Sequence, residues 1–219
     1  MFYSRLKWIV PAALTLATFG ANLKSAIAQT PYNFDVTYDT TVTIVPTDTP
    51  NIIRATITGE SKDAPYGLTS FISDDYGLTN TDPVTNITKI TFNSDPSVFG
   101  LVGQQAFSDR YYGGANELFG KASDNAEINP AAGTIQGGGT ITIFNGTGIF
   151  QNATGQIAFT EADQLTDPTV PAKGQALLKF SLQVPQKVPE ATPNIALIGM
   201  GILGSTFVFC KHRRKVTSG

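Results

Sequence analysis

YNFDVTYDTTVTIV, residues 32–45, puts apolar side chains at Tyr32, Phe34, Val36, Tyr38, Val42 and Ile44 and polar ones at Asn33, Asp35, Thr37, Asp39, Thr41 and Thr43. A period of two held this long presents one face to a core and the other to water, which an extended strand can do and a helix cannot. Thr40 is the one even position that breaks the pattern.

Downstream the same alternation returns. Ile53, Ala55 and Ile57 alternate with Arg54, Thr56 and Thr58. Ile90 and Phe92, Ile141 and Ile143, and Ile157 and Phe159 continue it. Ala176, Leu178, Phe180, Leu182 and Val184 form a last strand with Lys179, Ser181 and Gln183 outward. β-Branched and aromatic residues dominate these runs, as strands prefer. Clusters of Gly, Asn, Asp and Pro at 46–51, 59–67, 74–82, 94–97, 124–133 and 166–174 are expected to separate them. A single helical turn is expected at most within Leu101 to Phe107 or Ala115 to Lys121. The fold class predicted is all-β: a single antiparallel β-barrel of about eight strands, or a β-sandwich. A transmembrane barrel is set aside, because the apolar face is too discontinuous for a lipid belt.

Both ends read as addresses. In residues 1–28, Arg5 and Lys7 precede an apolar run from Trp8 to Ala21, and Ala26-Ile27-Ala28 supplies a small-x-small site. This is the pattern of a signal peptide, with cleavage expected between Ala28 and Gln29. Residues 29–186 are then the exported domain and 187–194 a linker. Ile195 to Cys210 is a 16-residue run without a charge, followed by Lys211, Arg213, Arg214 and Lys215 in the tail 211–219. As a helix it spans about 24 Å, short of a ~30 Å hydrocarbon core unless Phe207, Phe209 and Lys211 extend it to the interface. The basic tail should stay cytoplasmic, leaving the domain outside.

Val188-Pro189-Glu190, an apolar stretch and a terminal basic cluster together resemble the PEP-CTERM sorting signal of exosortase-bearing bacteria. The resemblance implies a membrane-embedded, transpeptidase-like exosortase that clips near the motif and releases or transfers the mature protein. Ala191 stands where that family usually has a second Pro. Gly146-Thr147-Gly148-Ile149-Phe150-Gln151-Asn152-Ala153-Thr154-Gly155 is similar to the Gly-Thr-Gly-x-Phe-x-x-Ala-x-Gly hairpin of the allene oxide cyclase and dirigent superfamily. That likeness implies an eight-stranded antiparallel barrel whose apolar lumen holds a small organic molecule.

Composition removes much of the common chemistry. The 219-residue chain has one Cys and one His, Cys210 and His212, both in the C-terminal segment. The body therefore lacks the residues for a Ser-His-Asp triad, a Cys-His dyad, a His- or Cys-ligated zinc site or an intrachain disulfide. Residues 30–186 hold 16 Asp and Glu against 7 Lys and Arg, the wrong sign for nucleic acid. Cys210 is expected to pack as a small hydrophobe.

Few side chains stand out singly. Arg54 reads as half of a surface ion pair. Arg110, with Tyr111 and Tyr112, is the candidate set for orienting a carboxylate or phenol at a barrel mouth. Asp74, Asp75, Asn80 and Asp82 offer oxygens in one predicted loop, but without EF-hand spacing they read as solvated turn acids, and no metal or cofactor is expected. Asn86, Asn145 and Asn152 head glycosylation sequons, which the bacterial host implied by the resemblance of the tail would leave unmodified.

The expectation is an exported, exosortase-processed cell-surface or extracellular-matrix protein without catalytic activity. Its partners would be signal peptidase, exosortase and the exopolysaccharide or envelope around it, with the membrane engaged through the C-terminal helix. The alternative is a small-molecule-binding or isomerase-like barrel, which an open polar-tipped cavity would support and a lumen filled by Phe and Ile would oppose. A carbohydrate-binding sandwich would need Tyr66, Phe71, Tyr76, Tyr111 and Tyr112 aligned on one exposed face.

Overall fold

In the computed structural model, which describes residues 27–167 and 170–187, the chain is all strand apart from turns and three short 3-10 segments. Gln29–Gln186 form one compact unit. The sorting motif Val188, Pro189 and Glu190, the apolar run 195–210, the tail with Lys211, Arg213, Arg214 and Lys215, and residues 1–26 lie outside the described residues. Among the described residues no helix is long and apolar enough to cross a membrane.

The strands are β1 (Ile27–Pro46), β2 (Ile52–Glu60), β3 (Ser70–Thr81), β4 (Thr88–Asn93), β5 (Asp109–Gly113), β6 (Asn116–Asn129), β7 (Thr134–Thr147), β8 (Thr154–Gln164) and β9 (Ala172–Lys187). All nine belong to one antiparallel sheet in the order β2-β1-β9-β8-β7-β6-β4-β3-β5. Added pairings of β2 with β3 and β5 with β6 join the ends of that series into a ring of hydrogen bonds. β4 and β5 lie end to end in one position between β3 and β6: β4 takes Tyr76–Thr81 and Ser123–Ile128, while β5 takes Ser70–Ile72 and Asn116–Gly120. Nine strands thus fill eight positions, and each has a neighbour on both sides. Over the paired lengths such closure leaves no free strand edge; β1 pairs with β2 from Asp39 onward.

The alternation seen in residues 32–45 is the burial pattern of β1. Val36, Tyr38 and Val42 are buried, and Asp35, Thr37, Asp39 and Thr43 are exposed. Thr40 also points inward, 3% exposed, and donates to Asp163 Oδ1 at 2.6 Å. The break in the pattern marks a buried polar contact.

Two expected turns are strand instead. Residues 74–81 lie in β3 and 124–129 in β6, as do 116–121, where a helical turn was one expectation. Ring closure supplies partners for the backbone there on both sides, and that outweighs the low strand propensity of Asp, Asn and Gly. The Gly146–Ile157 hairpin forms as expected, with a 3-10 turn at Gly148–Phe150 and Phe150 fully buried. Gly155, at φ 142°, lies so close to Ser181 and Leu182 that a Cβ there would meet the Leu182 Cα at 2.9 Å. Only glycine lets β8 run that close to β9.

The two ends of the ring are packed differently. β1 starts and β9 finishes at one end, beside the β7–β8 turn. There Phe34 stacks on Phe180 at 4.4 Å, and Phe150 meets Tyr32 and Tyr66 edge-on at 5.2 and 5.6 Å. Deeper in, Phe71 contacts Tyr38 and Tyr111, and Tyr111 contacts Phe180. Each pair adds about 0.5–1.5 kcal/mol to its area burial. The opposite end, where β1 finishes and β9 begins, is aliphatic and open.

A candidate ligand recess above an acid-lined interior

At the open end lies a recess of about 590 Å³, lined by Val42, Ile44, Pro46, Ile53, Ile128, Ile135, Leu165, Val170 and Ala172 with Thr43, Thr166 and two further prolines. No charged side chain is among them. Strand ends place it: the last inward residues of β1 and β6 and the first of β2, β7 and β9 converge there. The volume suits a small organic ligand, and aliphatic lining of this kind is what such sites use. Two other depressions, of about 560 and 520 Å³, are walled by charged and hydroxyl side chains on the outer surface.

Below the recess the interior is nearly full. A cavity of about 30 Å³ shares Val42, Ile44 and Ile135 with the recess floor, and Asp124, Glu161 and Asp163 line it. A second, of about 20 Å³, shares Ile57, Asp124, Phe159 and Glu161 with the first and reaches Ser73 and Tyr111. Each has room for a water molecule or two. The filling is by Phe, Ile, Leu and Tyr, so the sizeable apolar space sits at one end and not in the lumen.

Acids recur along the inner face. Asp75 on β3, Asp109 on β5, Asp124 on β6, and Glu161 and Asp163 on β8 all turn inward, while the seven Lys and Arg of residues 30–186 are all exposed. Asp75 and Asp109 share Ser73, whose Oγ lies 2.9 Å from Asp75 Oδ2 and 2.6 Å from Asp109 Oδ1. A hydroxyl has one hydrogen, so both contacts are hydrogen bonds only if one carboxyl is protonated and donates to Ser73. Ser94 donates to Asp75 Oδ1 at 2.8 Å and accepts the Ala122 N–H. Glu161 hydrogen-bonds Asp163.

Burial raises all five acids. Asp75 is pushed up to about 6, the serine hydroxyls holding it back, and Asp109 well above the usual carboxyl value by burial and the nearby Asp75. Burial, followed by neighbouring negative charge, lifts Asp124 and Glu161 to about 8. Asp163 is raised by burial against the pull of its Thr40 and Glu161 hydrogen bonds. Without an inward cation, burial penalises the charged form of each. Among the described residues, Asp109 Oδ2, Glu161 Oε1 and Asp163 Oδ2 have no hydrogen-bond partner. Glycine makes the space for two of these acids: a Cβ at Gly139 would overlap Asp124, and one at Gly174 would meet Asp163 Cα at 2.5 Å. Among the described residues, no three His, Cys, Asp or Glu side chains are arranged to hold a metal.

Strand alternation divides the residues singled out as ligand orienters. Tyr111 is buried at 1% exposure and faces inward, whereas Arg110 faces solvent, bridging to Glu117 at 2.5 Å and lying 4.8 Å over the Tyr112 ring. None of the three lines the recess. Arg54 pairs with Asp74 at 2.9 Å and covers Phe107. Tyr66, Phe71, Tyr76, Tyr111 and Tyr112 do not form an exposed row, since Phe71 and Tyr111 face the core and Tyr76 is buried against Phe107. Ala28 and Gln29 lie in β1. Once the strands are placed, parity puts the acids inward: Asp124 continues Ala122 and Ala126, and Glu161 and Asp163 continue Ile157 and Phe159.

No protein-family model matches the chain, nor does any curated protein or solved structure.

Proposed function

We propose that the ring closes as a small β-barrel and that this domain holds a small apolar molecule in its open-end recess, on an exported, exosortase-processed surface protein that performs no catalysis. The recess of about 590 Å³, aliphatic and free of charge, carries the reading. Each methylene transferred into it from water is worth about 0.8 kcal/mol before association costs. The local likeness of Gly146–Gly155 to the cyclase and dirigent hairpin supports the barrel.

β9 runs from the recess to the aromatic end, so its last residues lie at the end opposite the recess. Export and processing rest on the sequence of residues 1–28 and 188–215.

The test of binding is titration of an uncharged apolar dye such as Nile red against the full chain in lipid nanodiscs, with empty nanodiscs subtracted. Ile128→Trp, which fills the recess from its wall, should weaken binding at least about tenfold. Unchanged affinity, or none in the parent protein, overturns the reading. Mass spectrometry of both termini of the mature protein checks processing: retention of residues 211–219 in the envelope fraction would refute it.

A further inference from the structure

We infer that the recess is built for an alkylamine: the hydrocarbon lies among Val42, Ile44, Ile128 and Ile135, and the ammonium head sits in the small cavity beneath, between Glu161 and Asp163. This rests on the recess being a ligand site and names the class of ligand.

Four observations converge. The recess itself offers nothing to a charged or polar head, so any head group must go to the floor. Beneath that floor, sharing Val42, Ile44 and Ile135 with it, is a cavity of about 30 Å³ walled by Asp124, Glu161 and Asp163. A space that size takes one ammonium group as readily as one water. Asp163 is 1% exposed, yet its Oδ2, like Glu161 Oε1, lacks a hydrogen-bond partner among the described residues. Two unfilled acceptors beside a small void call for a donor, and an ammonium brings three.

Among the described residues no cation is supplied here, because every Lys and Arg of residues 30–186 is exposed. The titratable groups that face the interior are Asp75, Asp109, Asp124, Glu161 and Asp163, with Tyr38 and Tyr111 deeper in. A fatty carboxylate would meet like charge or compete for the same protons. An alkylammonium instead completes an ion pair that burial alone leaves unfavourable. Its entry releases the proton that Glu161 holds toward Asp163: Glu161–O–H gives up its hydrogen to solvent, and N–H donors of the head replace it. Reaching the cavity requires the side chains of Val42, Ile44 and Ile135 to change rotamer.

Isothermal titration of the full chain in nanodiscs with hexylammonium, hexanol and hexanoate, at neutral pH and in two buffers of different ionisation enthalpy, tests this. Hexylammonium should bind at least about tenfold tighter than hexanol, the margin of a charge-assisted hydrogen bond, and hexanoate weakest of the three. The buffer dependence should report protons released on binding. Glu161→Gln and Asp163→Asn should each remove most of the amine's advantage, read as the ratio of hexylammonium to hexanol affinity within each variant. Hexanol or hexanoate binding as tightly as the amine, or an amine advantage that survives both substitutions, overturns the ammonium site but not the recess. Failure of all three compounds to bind overturns both.

Discussion

The closed end and the open end of the ring use the same alternation to opposite effect. At the closed end the inward positions are large rings, and they interlock: Phe34 on Phe180, Phe150 between Tyr32 and Tyr66, Phe71 against Tyr38 and Tyr111. Tyr38 also ties this end to a turn, its hydroxyl donating to the Leu68 carbonyl at 2.6 Å. At the open end the inward residues are shorter aliphatics, Val42, Ile44, Ile128 and Ile135, which pack into smaller clusters and leave the recess above them. Equal numbers of strands reach both ends. The difference lies in side-chain volume, so stability concentrates at one end and available space at the other.

The sharpest way to break that contrast is truncation at each end. Phe150→Ala empties a fully buried site and should cost about 3–5 kcal/mol. Ile128→Ala, at a half-buried position on the recess wall, should cost nearer 1 kcal/mol. Denaturant midpoints of the two variants measure both effects. Equal losses would mean that the open end is packed as firmly as the closed one.

Between the ends lies the acid-lined middle, and pH probes it. Glu161 and Asp124 keep their protons in the folded protein up to about pH 8, while in the unfolded chain they release them near 4.5 and 3.8. Between those limits the folded state binds more protons, so stability falls as pH rises and levels off above about 8. Each such group contributes a slope of up to about 1.4 kcal/mol per pH unit. Glu161→Gln removes its share: the variant should lose less stability than the parent between pH 5 and pH 8. Chemical denaturation at several pH values reads the slope, and a parent protein whose stability rises across this window would contradict a neutral interior.

The outer pattern of this fold was plain in the sequence and its interior was not. Residues 32–45 announce a strand because threonines and aspartates mark the wet face as clearly as Val and Tyr mark the dry one. The same rule misled at residues 74–82 and 124–133, where inward Asp75 and Asp124 look like turn residues. An acid on an apolar face violates the pattern by which faces are recognised. Its neighbours give it away only once the register is known: Ser73 and Ser94 bracket Asp75, and Gly139 clears the space for Asp124. The recess was hidden for a different reason. Its lining comes from the end of β1, from single residues of β2, β6, β7 and β9, and from the connections β6–β7 and β8–β9, and no linear motif can spell that out.

Arg110 separates the inside of the ring from the outside with the smallest expected effect. It neighbours Tyr111, which is among the most deeply buried side chains, yet alternation places the guanidinium on the opposite face, against Glu117 and the Tyr112 ring. Half-exposed ion pairs of this kind are worth about 0–1 kcal/mol, because water screens them and ordering two long side chains costs entropy. Arg110→Ala should therefore shift the denaturant midpoint by no more than that and leave Nile red affinity unchanged. Tyr111→Phe, one residue along, alters a ring that lines the deeper cavity and contacts Phe71 and Phe180. If Arg110→Ala instead abolished binding, the site would lie on the outer face of β5, and the contrast between a packed end and an open one would no longer locate the ligand.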